Sequence, residues 1–77
     1  MTLVQRTTAI QFLRDAEEGM GYISLDYLED SIAMDPGLHS VQMNPNIMLE
    51  VAREEGWRVF YDQEEGFYLA KRKVMFE

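Results

Sequence analysis

Few side chains in this chain could do chemistry, and they are scattered. His39 is the single histidine, and there is no cysteine to join it in a zinc site. Between Leu38 and Ser40 it reads as a surface-loop residue. Asp26, Glu29 and Asp30 recur at a spacing that puts them on one helical face, but the glycine-rich loop that wraps a hard cation is missing. No nucleophile sits in a recognisable elbow, and no glycine loop is built to cradle phosphate. We therefore expect no catalytic residue, no cofactor site, no metal site and no enzyme.

Two other groups of residues suit contact rather than catalysis. Phe60 and Tyr68 fall on the same side of a C-terminal hairpin, with Arg58 and Arg72 nearby. Aromatic rings flanked by arginine can anchor a protein partner or stack on bases. Lys71, Arg72 and Lys73 form the one basic run, so Arg58 with Lys71–Lys73 is where nucleic acid would fit, through the hairpin only. The second group is Glu50, Arg53, Glu54 and Glu55, which lie on the exposed side of the last helix. Three carboxylates against one guanidinium oppose a phosphate backbone, because binding there gains by releasing counterions to Lys and Arg.

The whole chain repeats that bias. Its 77 residues carry a net charge of −7. From Met1 to Gly56 three basic residues (Arg6, Arg14, Arg53) face ten acidic ones, whereas from Trp57 to Glu77 there are four of each. The front should repel polyanions and the end is locally neutral.

The elements that must position these residues follow from apolar spacing and caps. One domain spans residues 1–77, with a core over about 8–73. Thr8 with Gln11 forms a capping-box pattern that predicts a first helix, whose stripe is Ile10, Leu13 and Ala16 with Phe12 beside it. Gly19 and Gly21 end it. Tyr22-Ile23 is extended, and Ser24 caps a second helix with Leu25, Leu28 and Ile32 inside; Ile23 and Leu28 are spaced as a hydrophobic staple. Asp35-Pro36-Gly37 stops that helix. Leu38–Met43 has no clear periodicity, and Met34, Met43 and Met48 around it suit irregular core filling. Asn44-Pro45 opens the last helix, with Ile47, Met48, Val51 and Ala52 inside and Gly56 at its end. Beyond it, strict alternation puts Trp57, Val59, Tyr61, Phe67 and Leu69 on one face of a hairpin and Arg58, Phe60, Tyr68 and Ala70 on the other. Two registers satisfy that pattern, pairing Tyr61 with Leu69 or with Phe67. The fold class is α+β.

The order of helix, short strand, helix, helix and hairpin resembles a winged-helix domain, with three helices and a C-terminal wing. Gly21-Tyr-Ile-Ser-Leu-Asp-Tyr-Leu-Glu-Asp-Ser-Ile32, then Val51-Ala-Arg-Glu-Glu-Gly56, then Gly66-Phe-Tyr68 carry the resemblance. It is similar to the small winged-helix modules of replication proteins such as minichromosome-maintenance helicases and replication protein A. In that family the second and third helices are joined by a short turn, whereas here about ten residues, Asp35 to Asn44, intervene.

The sequence points to a small acidic interaction module that binds a protein and regulates transcription or replication machinery. A DNA-mimicking or phage-type inhibitor would suit its charge. The alternative is a DNA-binding transcriptional regulator that uses the wing, as a monomer or a homodimer. Phe60 and Tyr68 are either open to a partner or covered by a loop, the first strand or a second subunit. No apolar run reaches the roughly 20 residues of a membrane span. The N-terminus lacks the plan of a signal peptide, so a cytoplasmic location without membrane contact is expected.

Overall fold

The computed structural model describes residues 1–76; Glu77, which enters the charge count above, lies outside the described residues. Four helices and three strands follow one another as α1 (Leu3–Glu18), β1 (Tyr22–Ser24), α2 (Leu25–Met34), α3 (Pro36–Ser40), α4 (Pro45–Glu54), β2 (Arg58–Asp62) and β3 (Gly66–Ala70). The strands form one antiparallel sheet in the order β1-β3-β2. The chain is thus α+β, and β1 lies beside the hairpin rather than apart from it.

Helix α1 begins earlier than its expected start at Thr8. Thr2 is the N-cap, and a complete capping box joins it to Gln5: the Gln5 amide donates to Thr2 Oγ1 at 3.0 Å and the Thr2 amide to Gln5 Oε1 at 2.8 Å. Thr8-x-x-Gln11 repeats the same spelling one helical segment later, inside the helix, where Gln11 instead bonds Asp15. Ser24 caps α2 through the Tyr27 amide, and Asn44 caps α4 through the Ile47 amide, each as expected. Ile23 and Leu28 are both buried, as a staple requires.

The segment without periodicity holds a short helix. Asp35 closes α2 by donating its amide to Ser31 and opens α3 by accepting from the Gly37 amide at 2.8 Å. One residue therefore serves as stop and start. The chain leaves α3 through Gln42, whose φ of 57° is left-handed, and the Met43 amide returns to the Leu38 carbonyl. This exit points Met43 inward.

Ala9 and Leu13 of α1, Leu28 of α2, Leu38 of α3, Met48, Val51 and Ala52 of α4, together with Met43, Trp57, Ile23 and Leu69, form one buried cluster. Each large side chain there is worth about 1.5–3 kcal/mol in transfer from water. Met43 and Met48 fill the core as expected, whereas Met34 at the end of α2 is exposed. Among the described residues no helix is long and apolar enough to cross a membrane.

Candidate interaction surfaces

The hairpin adopts the register that pairs Tyr61 with Phe67 and Phe60 with Tyr68. Asp62 and Gly66 close a three-residue turn, in which Asp62 Oδ2 accepts from the Glu64 and Glu65 amides at 2.9 and 3.0 Å. Gly66 has φ 79°, which a side chain would strain, and the next residues return as β3.

Phe60 and Tyr68 do lie side by side, with ring centroids 5.5 Å apart and nearly stacked. They are not a bare contact surface, however. Tyr68 is 0% exposed and Phe60 is half-buried. Tyr22 from β1 meets Tyr68 edge-on, and Phe76 of the C-terminal segment meets both tyrosines at 4.9 and 5.3 Å. The Tyr68 hydroxyl accepts the Val74 amide at 3.1 Å, fastening that segment down. The chain covers this face with its own first strand, one of the expected covers, and with its last residues, which the sequence did not point to; the rings are not open to a partner. Arg58 and Arg72, the arginines expected to flank them, are exposed.

Bare aromatic surface appears on the opposite face. Val59, Tyr61 and Phe67 share the side of Trp57 and Leu69, yet they are 52%, 58% and 56% exposed while Trp57 and Leu69 are buried. The helices cover one half of this face and leave the half nearest the turn open. Tyr61 and Phe67 pack edge-on at 5.0 Å. Alternation assigned the face correctly but carries no information on how far the helices reach across it.

Glu50, Arg53, Glu54 and Glu55 are all exposed on α4, or at its cap in the case of Glu55. Glu54 forms an ion pair with Arg6 of α1, where α1 and α4 pack together. Hydrogen bonding and charge from Glu54 hold the Arg6 guanidinium more firmly protonated than usual, and Glu50 and Glu55 add to the effect. The first cation of the chain is thus absorbed by the acidic face. The basic run is treated likewise: Lys71 Nζ lies 3.1 Å from Glu17 Oε2 in the last turn of α1. Arg6 and Glu17 are separated by about 16 Å along the helix, so the cations at its two ends do not merge. Arg72 and Lys73 remain exposed.

No family model, curated protein or solved structure matches this chain. Its surfaces therefore have to be read from their own chemistry. An open groove of about 620 Å³ lies between the end of α1, β1 and the start of α2, and its lining includes Phe12, Met20 and Tyr27 together with Asp15, Asp35 and Glu65. Its carboxylates continue the negative character of the helical part. Among the described residues, no three His, Asp or Glu side chains converge as metal ligands. His39 is exposed on α3, with its Nε2 hydrogen-bonded to the Ala33 carbonyl.

Proposed function

We propose that this chain is a non-catalytic interaction module of winged-helix-like architecture that binds a protein partner through the acidic side of α4. Its setting would be the regulation of transcription or replication machinery, where a negative helical face competes for a surface that otherwise holds DNA. The order of elements and the strand order β1-β3-β2 support the architectural reading, with α3 inserted where the family has a short turn.

One observation carries the functional reading. The helix that would enter the major groove in a DNA-binding member presents Glu50, Glu54 and Glu55, and the guanidinium of Arg6 beside them is already paired with Glu54. Phosphate approaching that face meets like charge. A basic protein surface meets its complement, which speeds encounter and fixes orientation.

The test is affinity capture from source cells after nuclease treatment, comparing the native chain with Glu50→Lys/Glu55→Lys. These two substitutions leave the Arg6–Glu54 pair in place. The expected result is a protein retained by the native chain and lost with the variant. Retention that occurs only when the nuclease is left out would favour the wing-based DNA regulator, with Arg58, Lys71, Arg72 and Lys73 as its contacts.

A further inference from the structure

Strand β2 is an edge. With the order β1-β3-β2, it is hydrogen-bonded on one side only, and alternate residues turn their N–H and C=O groups outward. The usual defences of an edge strand are thin here: its centre, Val59-Phe60-Tyr61, has no charge and no proline, and the helices do not cover its exposed face. The other edge, β1, has only three residues and runs directly into α2.

The residues of β2 also have an internal symmetry. About Phe60, the flanking pair Val59 and Tyr61 is apolar, while the outer pair Arg58 and Asp62 carries opposite charges. An antiparallel copy centred on Phe60 therefore sets Arg58 opposite Asp62 and Val59 opposite Tyr61, twice over. A parallel copy would set like charges together. Opposite charges and aromatic–β-branched neighbours are the cross-strand pairs that stabilise a sheet.

From this pattern we infer that β2 pairs antiparallel with β2 of a second copy, making one six-stranded sheet through a two-fold axis at Phe60. The inference stands apart from the reading of α4. Val59 and Tyr61 of each copy, with Phe67 behind Tyr61, would close into one apolar cluster across the axis, and the edge amides and carbonyls would find partners. The local charge permits it, because the segment from Trp57 onward is balanced even though the helical part is strongly negative.

Sedimentation velocity on the full chain, from micromolar to submillimolar concentration, tests the pairing. The native chain should pass from monomer to dimer. Arg58→Asp and Asp62→Arg should each weaken the dimer about tenfold or more, since each places like charges opposite one another. Mixing the two variants should restore a heterodimer, because the carboxylate introduced in one chain would then face the guanidinium introduced in the other. Asp62 also braces the turn, so circular dichroism accompanies that variant. Should Asp62→Arg unfold, Tyr61→Lys on an exposed site decides instead and should abolish the dimer. A native chain that stays monomeric overturns the inference. So does a dimer indifferent to Arg58→Asp and Tyr61→Lys, or a mixture of two folded variants that fails to reassociate.

Discussion

Gln42 holds a backbone conformation that suits glycine. Its φ of 57° turns the chain from α3 toward Met43, and its carbonyl accepts from Gln5 Nε2 at 3.2 Å. The left-handed region costs an L-residue roughly 1–2 kcal/mol, part of which glycine gives back through its greater freedom when unfolded. Gln42→Gly should therefore raise stability by about 0.5–1 kcal/mol in urea unfolding, with the slope unchanged. Phe76 makes the opposite case. It covers Tyr22 and Tyr68, and aromatic pairs contribute about 0.5–1.5 kcal/mol each. Phe76→Ala should cost about 1–3 kcal/mol and leave the Tyr68 environment measurably more open in tyrosine fluorescence quenching. Nothing local in Lys71–Phe76 announces that role, because the contact joins residues 22, 68 and 76 across the sheet.

At the level of elements, caps were the most legible feature and also the source of the clearest miss. Ser24 and Asn44 begin α2 and α4 where their sequences say. For α1, Thr-x-x-Gln occurs twice, and the later copy is the decoy. Helix continues back to Leu3 because nothing from Leu3 to Thr7 interrupts it, while exposed Leu3 and Val4 blur the stripe that would have announced it. Thr2→Ala should consequently lower stability by about 1 kcal/mol, whereas Thr8→Ala should be neutral within about 0.5 kcal/mol or slightly stabilising. Thermal unfolding of the two variants side by side separates a true cap from its copy. The same logic explains α3: Asp35-Pro36 has the cap-then-proline form of Asn44-Pro45, yet at the end of a helix it reads only as a stop. The hairpin's two faces were legible from alternation. Which face stays bare was not, since that depends on the reach of helices and tail packed from elsewhere in the chain.

Across the whole molecule, charge is the organising property. Glu54 of α4 draws in Arg6 and Glu17 at the end of α1 draws in Lys71, while Asp15, Asp35 and Glu65 add negative charge at the groove beside β1. The negative balance was readable from composition. Its distribution was not, because pairing Arg6 with Glu54 and Lys71 with Glu17 brings together residues 48 and 54 positions apart. The most direct measurement is a titration of labelled duplex DNA at low salt, where electrostatic binding is strongest, with the native chain and with Glu50→Lys/Glu55→Lys. The native chain should leave the duplex free at about 50 µM, and the charge-reversed chain should bind with an affinity that falls steeply as salt rises. Native binding that disappears when Arg58, Lys71, Arg72 and Lys73 are changed to Glu would contradict the account and assign the protein to DNA through its wing.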